Sequence, residues 1–431
     1  MFWSNKTCGS YGDRLYQLKQ ESHFLQFCSP RNLALQELHT HKNVLLLQGP
    51  VGPLFGKLAK NLQAKGVAVS KVCFNAGDAF DWRFVPDIAA HHFRCSATEW
   101  PSYFESLLSA QTATAIVLFG QARRYHRQAI SLAQAKGIKV FVMEEGYFRP
   151  GYVTLEVNGV NAHSTAMIDT IDLLPMVPTM AKPVPETVAW HFAKMAWAAT
   201  QHYVAMSLGR ARYPHYQHHR HTSPSSYALY WLRSWVIKAI RWHLDHTFVR
   251  QLVRQSSLYF FVPLQSPEDS QIHLHSRFEN IESFIDEVIE SFAAYAPSKV
   301  QLLFKQHPMN RGDVLLEQYI RHAAQTRGVA TRIHYVTEAH NPTVLDHCQG
   351  VVLINSTLGL QALARLVPVK ALGESLYGQP GLTDQQALAT FWQQPQRPSA
   401  HTRDWLHLLK CRTQIPCSVY AFNREPWKAL G

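Results

Sequence analysis

The sequence lacks several features that would place the chain in a membrane or outside the cell. It contains no apolar run of the roughly 20 residues that a transmembrane helix needs. Its first 20 residues contain no apolar segment typical of a secretory signal, and its seven cysteines never occur at CxxC spacing. We therefore expect a soluble or peripheral protein with reduced thiols, in a cytoplasmic setting.

Charged residues are also few. Only 17% of the chain is Asp, Glu, Lys or Arg, against 46% hydrophobic residues, which excludes disordered, collagen-like and coiled-coil proteins. The 42 Lys and Arg residues outnumber the 30 Asp and Glu residues, giving a formal net charge of +12. This surplus favours an anionic partner such as a phosphorylated substrate, nucleic acid or an acidic membrane. The lack of a basic recognition helix or an RNP-like aromatic strand argues against nucleic acid.

The 431 residues are enough for two or three domains. Short apolar runs predict strands at 43–48, 67–74, 116–119, 138–143, 259–264, 300–305, 331–336, 351–354 and 367–372. Helical spacing predicts helices at 55–65, 125–136, 281–294, 342–348 and 358–365, with two long Trp-rich helices at 183–209 and 227–254. This alternation is typical of parallel α/β sheets. We predict a Rossmann-like domain over residues 1–175, a helical insertion over 176–255, and a second Rossmann-like domain over 256–431.

The first candidate site is the loop GPVGPLFG at residues 49–56, between a predicted strand and a predicted helix. Gly49 and Gly52 would let backbone N–H groups approach a negatively charged ligand. The loop is neither a GxGxxG nor a Walker sequence, so a plain tight turn is an equal alternative.

The second candidate site follows the strand at 138–143 and contains Glu144, Glu145 and Arg149. Open α/β sheets bind ligands at the carboxyl ends of their strands. One of the two carboxyl groups would act as a general acid or base, and Arg149 would bind an anionic substrate. The alternative is a solvated loop with a local salt bridge.

Three more strand ends carry polar groups in the second half of the chain. They are Gln265 and Asp269, then Lys305 and His307, and finally Asn355, Ser356 and Thr357. Lysine, histidine and free backbone N–H groups are suitable donors to a phosphate, and an aspartate at a strand end is a candidate for catalysis. Asp, Ser and Thr also cap helices and turns. A purely structural role is therefore the alternative for the polar residues at each of the three strand ends.

Two further segments are rich in histidine or tryptophan. The stretch at 216–221 (YQHHRH) has no HExxH arrangement and no nearby carboxylate, so we favour a basic surface over a metal site. In the helix at 227–254, Trp231, Trp235 and Trp242 are interspersed with Arg233, Lys238 and Arg241. This mixture would suit contact with anionic lipid, and packing between domains is the alternative.

The chain resembles the bacterial capsular polysaccharide synthesis family, specifically the KpsS/LipB type of β-Kdo transferase. The resemblance lies in the segments LLLQGPVGPLF (45–55), KVCFNAGD (71–78), EEGYFRPGYVTLEVNGVNAHS (144–164), VPLQSPEDSQI (262–272), KQHP (305–308), NSTLGLQAL (355–363), PVKALG (368–373) and YGQPGLTDQQALATFW (377–392). It spans residues 43–392, and its departures are ARL at 364–366 and the first forty residues, which match nothing we can name.

This resemblance implies a GT-B architecture, with an acceptor-facing first half and a nucleotide-binding second half. It implies CMP-Kdo as donor, a phosphatidylglycerol-type lipid as acceptor, and retention through a covalent sugar adduct on an aspartate, for which Asp269 is the matching position. It also implies a protein that is peripheral on the cytoplasmic face of the inner membrane.

A mechanistic hypothesis follows from the resemblance and the strand-end residues. Lys305, His307 and the turn at Ser356 and Thr357 would hold the CMP phosphate, so that no metal or other cofactor is needed. Glu145, in preference to Glu144, would take the acceptor proton, while Arg149 and Gln265 would hold the sugar. The alternatives are a transferase that extends the Kdo anchor or uses another nucleotide sugar, and a non-catalytic component of capsule assembly or export.

Overall fold

The structure is a computed structural model that describes residues 32–165, 188–217, 224–255, 258–310 and 315–420. The first of its two sheets consists of β1 (Asn43–Leu46), β2 (Ala68–Cys73), β3 (Ala90–His92), β4 (Ala115–Phe119), β5 (Lys139–Glu145), β6 (Val153–Val157) and β12 (Gln414–Ile415). The strand order is β12-β6-β5-β4-β1-β2-β3. Strands β1 to β5 are parallel, whereas β6 runs antiparallel to β5 and β12 runs antiparallel to β6. We call this sheet and the helices packed on it the first lobe.

The second sheet is entirely parallel. It consists of β7 (Tyr259–Pro263), β8 (Gln301–Lys305), β9 (Ile333–Val336), β10 (Gly350–Leu353) and β11 (Val369–Ala371), in the order β11-β10-β7-β8-β9. We call this sheet and its helices the second lobe. Each sheet has an apolar cluster on both of its faces, which explains why the strands are short, almost continuously apolar runs.

Helices follow most strands and cover the faces of the sheets. They are α1 (Leu33–Leu38), α2 (Leu54–Ala64), α3 (Ala76–Asp81), α4 (Trp100–Ala110), α5 (Arg124–Ala135), α6 (Val188–Leu208), α7 (Pro224–Arg254), α8 (Ser270–Leu274), α9 (Ile281–Tyr295), α10 (Leu315–Thr326), α11 (Asn341–His347), α12 (Leu358–Leu363), α13 (Leu388–Phe391) and α14 (Thr402–Thr413). No helix in the described ranges is both long enough and apolar enough to cross a bilayer.

Helix α9 illustrates how the sequence specifies these elements. The Asn280 side chain accepts a hydrogen bond from the Ser283 backbone N–H at 2.8 Å, and the Ser283 hydroxyl accepts one from the Asn280 N–H in return, forming a capping box. Phe284, Val288 and Phe292 are spaced four residues apart and are all buried against the second sheet. Each such side chain stabilises the fold by roughly 1.5–3 kcal/mol on burial.

The two long helices dock on different lobes. In α6, His202 lies with its Nδ1 2.7 Å from the Asp81 carboxylate, which fixes this helix to the first lobe. In α7, the Asp245 carboxylate accepts hydrogen bonds from the backbone N–H groups of Thr337 and Glu338, both at 2.8 Å, which fixes this helix to the second lobe. The predicted helical insertion is therefore divided between the lobes that it connects.

The predicted two-lobed, GT-B-like α/β fold is confirmed. Each of the nine predicted strands corresponds to one strand of the structure, within three residues at either end. The short strands β3, β6 and β12 were not predicted, nor were helices α1, α3, α4, α8, α10, α13 and α14. Strand β12 comes from the segment that we assigned to the second domain, yet it pairs with β6 in the first sheet. The predicted domain boundaries at 175 and 255 border residues outside the described ranges.

Candidate active site

The carboxyl ends of strands from both sheets meet at one crevice. From the first lobe, His163 contacts His275 of the second lobe, with ring centroids 4.6 Å apart and the rings nearly perpendicular. In the same region, the Asp269 carboxylate of the second lobe is close enough to Glu144 of the first lobe to affect its ionisation. Residues that lie far apart in sequence therefore form one site.

Strand β5 extends to Glu145, so the two adjacent glutamates alternate across the sheet. Glu144 continues the face of Val142, and Glu145 continues the face of Met143. Glu145 accepts a hydrogen bond from the Tyr420 hydroxyl at 2.8 Å and forms a 2.8 Å salt bridge with Arg149. Glu144 interacts electrostatically with Asp269 of the second lobe, and for this reason we now prefer Glu144 as the candidate base over Glu145, which we preferred from sequence.

The environment of Glu144 raises the pKa of its carboxyl group above the ordinary value for glutamate. Burial raises the pKa of Glu144, and the nearby Asp269 charge adds to the increase. A hydrogen bond from the Asn161 side-chain amide, at 2.8 Å, and the positive charge of Arg149 act in the opposite direction. A pKa raised towards the working pH is what general base catalysis requires.

A buried network lies behind Glu144 and fixes the segment that carries Asn161. The Tyr147 hydroxyl accepts a hydrogen bond from the Asn161 backbone N–H at 2.7 Å and donates one to Glu156 at 2.6 Å. The Ser164 hydroxyl donates to the other oxygen of Glu156. Burial raises the pKa of Glu156 to about 7, although the two hydroxyl donors lower it. The network positions Asn161 and contains an acid that titrates near neutrality.

In the second lobe, Gln265, Asp269 and Asn355 form one hydrogen-bonded group at the ends of β7 and β10. The Gln265 amide donates to Asp269 at 3.1 Å and to the Asn355 side-chain carbonyl at 2.9 Å, while its own carbonyl accepts from the Asn355 backbone N–H at 3.2 Å. Asp269 also caps α8 by accepting from the Gln271 N–H at 3.0 Å. The capping alternative is therefore correct, and it holds the carboxylate at the crevice in a fixed orientation.

The predicted phosphate-binding residues occupy the ends of neighbouring strands. Lys305 is the buried last residue of β8, and its carbonyl accepts from the Leu264 N–H at 2.9 Å, directly before Gln265. His307 lies two residues further on and is half-buried. The backbone thus brings Lys305 beside the group formed by Gln265, Asp269 and Asn355.

The turn at Ser356 and Thr357 leads into α12. Thr357 occupies the N-cap position without a side-chain hydrogen bond, whereas the Ser356 hydroxyl accepts from the Leu358 N–H at 3.3 Å. The Tyr377 hydroxyl donates to the Ser356 carbonyl. A side chain at Gly359 would lie 2.6 Å from the Tyr377 ring, so only glycine allows this contact. The Tyr377 side chain therefore holds the turn at Ser356, which follows directly after Asn355 of the hydrogen-bonded group.

In the loop at residues 49–56, Gly49 and Gly52 were predicted to let backbone N–H groups approach a ligand. One of these two glycines, Gly52, forms a structural turn instead. Gly52 has a φ of +99°, which glycine adopts without strain, and its N–H donates to Asp81 at 3.1 Å. This N–H is therefore engaged within the protein. The Gly49 carbonyl accepts from the Arg123 guanidinium at 3.1 Å, so this part of the loop holds a cation at the crevice.

The remaining predicted contacts are either engaged in a local salt bridge or lie outside the described ranges. The Arg149 side chain is half exposed and forms the local salt bridge with Glu145 that the sequence left as an alternative. His218–His221 and the Trp231 side chain lie outside the described residues. Among the residues that the structure does describe, no group of three His, Cys, Asp or Glu side chains is arranged to hold a metal ion.

Sequence reasoning did not single out Asn161, His163, Arg123 or His275, which all lie at this site. Arg123 follows β4 at a strand end of the same kind as those we examined, so this position could have identified it. His275 is buried, and its Nε2 forms no hydrogen bond within the described part of the chain. No sequence signal distinguishes His275 from the other histidines, because its position depends on the meeting of the two lobes.

Comparison with known proteins agrees with the resemblance found in the sequence. The family described as Capsule polysaccharide biosynthesis protein matches residues 114–420. Capsule polysaccharide modification protein LipB of Neisseria meningitidis serogroup A is 36% identical over 372 residues, 84% of this chain and 87% of that protein. Capsule polysaccharide export protein KpsS of Escherichia coli is 35% identical over 389 residues, 90% of this chain and 99% of that protein. Among solved structures, the KpsC β-Kdo 2,7 transferase of Thermosulfurimonas dismutans has a TM-score of 0.41 and 11% identity, covering 85% of this chain and 90% of that chain. The chain belongs to the capsule polysaccharide biosynthesis protein family.

Proposed function

We propose that the protein is a glycosyltransferase that moves Kdo from CMP-Kdo to a phosphatidylglycerol-type lipid and thereby starts the β-Kdo anchor of a capsular polysaccharide. The observation that carries this proposal is the pairing of two carboxyl groups from different lobes, Glu144 and Asp269, across one crevice. Parallel α/β sheets bind ligands at this edge, and glycosyl transfer through an adduct uses two carboxyl groups. Membership of a capsule biosynthesis family supports the choice of pathway.

In the first step, the Asp269 carboxylate attacks the anomeric carbon of Kdo. A carbon–oxygen bond to Asp269 forms as the bond between this carbon and the CMP phosphate breaks, and CMP leaves with the electron pair. The side chains of Lys305 and His307 and the backbone N–H groups at Ser356 and Thr357 would donate hydrogen bonds to the departing phosphate and stabilise it without a metal. The hydrogen bonds of Asp269 to Gln265 and Gln271 hold the attacking carboxylate in place.

In the second step, the acceptor hydroxyl attacks the same carbon and releases Asp269. Glu144 takes the proton from this hydroxyl as the new glycosidic bond forms. Two displacements at one carbon retain its configuration. The raised pKa of Glu144 suits this role, because burial makes the carboxylate a stronger base than an exposed glutamate.

A lipid acceptor requires that the protein dock on a membrane, and helices α6 and α7 offer a surface for this. Of thirteen large apolar side chains exposed in the described part of the chain, eight lie on these two helices: Trp197, Val204, Leu208, Trp235, Val236, Ile240, Trp242 and Leu244. Trp235 and Trp242 are 48% and 51% exposed, and Trp235 also contacts the Phe192 ring of α6, so packing between the helices accounts for only part of these side chains. Lys238 lies 5.2 Å from the Trp235 ring, which combines a positive charge with an aromatic group. Such a surface binds anionic lipid, and we place the protein on the cytoplasmic face of the inner membrane.

Donor turnover tests the proposed reaction. Purified protein is incubated with CMP-Kdo and lysophosphatidylglycerol, and CMP release and lipid mass are followed. We expect release of CMP together with addition of Kdo to the lipid. The Asp269→Asn and Asp269→Ala variants should lose most of this activity, and activity within about tenfold of the parent would remove Asp269 from the chemistry. A Kdo adduct on the parent, seen by intact mass, would support the covalent route.

A non-catalytic role in capsule export is the competing proposal, since the KpsS relative is described as an export protein. CMP release distinguishes the two. A protein that binds the glycolipid without consuming CMP-Kdo would fit the export role, and one that consumes CMP-Kdo would not.

A further inference from the structure

Arg123 stands on a braced loop at the carboxyl end of β4. His126 Nδ1–H donates to the Gly120 carbonyl at 2.7 Å. The Gln121 side chain donates to the Val160 carbonyl at 3.2 Å and accepts from the Val160 N–H at 3.3 Å. The loop is therefore tied both to its own helix and to the segment that leads to Asn161. These hydrogen bonds fix the position of the backbone from which the Arg123 side chain extends.

The Arg123 guanidinium has few partners in the protein. It is half-buried and donates one hydrogen bond, to the Gly49 carbonyl at 3.1 Å, and it lies 5.9 Å from the centre of the Phe119 ring. Within the described ranges it forms no salt bridge. Burial lowers the pKa of Arg123, which shows that its charge is partly removed from water. A single neutral carbonyl leaves most N–H donors of a guanidinium unused.

Several half-buried arginines in the described chain have a carboxylate partner, unlike Arg123, whereas Arg332 donates to backbone carbonyls as Arg123 does. Arg241 pairs with Glu317, and Arg365 pairs with Asp346 at 2.9 Å. A cation removed from water normally has such a counter-ion, because its desolvation is otherwise unfavourable. The charges of Asp78 and Glu144 act on Arg123, but neither carboxylate forms a salt bridge with it in the described ranges, so most of its N–H groups remain for an anionic ligand.

The surroundings of Arg123 open towards the reacting groups. The Gln48 amide donates to the Tyr216 hydroxyl at 3.0 Å, and Tyr216 lies near enough to Arg123 to affect its ionisation. Glu144 acts on Arg123 in the same way. An anion bound at Arg123 would therefore lie on the first-lobe side of the crevice, beside the proposed base.

We propose that Arg123 binds the phosphodiester of the lipid acceptor. This inference rests on the proposed function, in which the acceptor is a phosphatidylglycerol-type lipid. The reacting hydroxyl of such a lipid is only a few bonds from its phosphodiester. Binding of the phosphate at Arg123 therefore holds the glycerol hydroxyl next to Glu144, while the donor phosphate occupies the second lobe. A guanidinium suits this task because its paired N–H groups match two phosphate oxygens.

Equilibrium binding tests the inference without depending on turnover. Calorimetry measures binding of dihexanoylphosphatidylglycerol below its micelle concentration, octylglycerol as an analogue without phosphate, inorganic phosphate, and CMP. The proteins compared are the parent, R123Q, R123K and R127Q. R127Q is the control, because it removes an exposed arginine from helix α5, which begins directly after Arg123. A thermal melt of each variant shows separately that it is folded.

We expect R123Q to weaken dihexanoylphosphatidylglycerol binding by about tenfold or more, with R123K between R123Q and the parent. Octylglycerol and CMP binding should change less than about twofold in every variant. Equal lipid binding by R123Q and the parent would overturn the inference and leave the proposed function intact. Loss of CMP binding in R123Q would assign Arg123 to the donor, and inorganic phosphate binding as tightly as the lipid would identify a free-anion site. A parent that binds CMP but not the lipid would refute the proposed acceptor and the inference together.

Discussion

Replacing each of two adjacent glutamates with glutamine separates the proposed base from its neighbour. E144Q keeps the shape of the side chain, and its carbonyl can still accept the Asn161 amide hydrogen bond that is now 2.8 Å long. The E144Q substitution removes the ability of this side chain to take a proton. Loss of a general base lowers the rate by about 10²–10⁴-fold, or roughly 3–5 kcal/mol in the activation barrier.

E145Q is the matched control one residue away. Glu145 forms a half-exposed salt bridge with Arg149 and accepts from the Tyr420 hydroxyl, which glutamine can also do. A pair of this kind contributes about 0–1 kcal/mol, so the rate should fall by less than about tenfold. The two variants differ only in which face of β5 loses its charge.

The assay is kcat/KM for lipid-dependent CMP release, measured as a function of pH. Since burial raises the pKa of Glu144, the parent and E145Q should lose activity as the pH falls through that raised pKa. E144Q should lack this acidic limb. A larger loss in E145Q than in E144Q, or an unchanged acidic limb in E144Q, would refute the assignment of the base.

Two other perturbations test the buried acid and the lipid surface. Because burial raises the pKa of Glu156 from 4.5 to about 7, the folded state holds its proton more tightly than the unfolded chain. The stability that this group contributes is therefore present below pH 4.5 and is lost as the pH rises through 7. In thermal melts, the stability of E156Q relative to the parent should therefore increase by up to about 3 kcal/mol between pH 5 and pH 8. A stability difference that does not vary with pH would contradict this. The double variant W235S/W242S should bind phosphatidylglycerol vesicles at least about tenfold more weakly than the parent, and the binding should be sensitive to salt. The control Y295S removes a 52% exposed aromatic side chain elsewhere and should bind the vesicles as the parent does. Equal loss in the control, or equal binding of the parent to neutral and anionic vesicles at low salt, would exclude this surface.

Most strands of both sheets could be predicted from the sequence, including both edge strands of the second sheet, whereas β3, β6 and β12 of the first sheet could not. Strands such as β1 and β7 are apolar on both faces and stand out from the neighbouring residues. Strands β3 and β12 contain three and two residues, too few for any periodicity to be visible. Strand β12 also joins the first sheet from the far end of the chain, so only tertiary packing determines its position.

The candidate site was predictable as a set of strand ends but not as a set of side-chain directions. From the sequence, we predicted that the strand corresponding to β5 ends at Met143, directly before the two glutamates. The structure extends that strand to Glu145, and the alternation of side chains then assigns Glu144 and Glu145 to opposite faces. Pairing of Glu144 with Asp269 depends on how the two lobes meet, which no local pattern in the sequence specifies.

Product analysis tests the central claim most directly. Purified parent protein is incubated with CMP-Kdo and a fluorescent lysophosphatidylglycerol, and the lipid product is isolated and examined by mass spectrometry and NMR. The proposed function predicts a lipid that has gained Kdo in β linkage, with CMP released in equal amount and neither formed by the Asp269→Ala variant. An unmodified lipid after incubation with a folded protein that binds CMP-Kdo would contradict it.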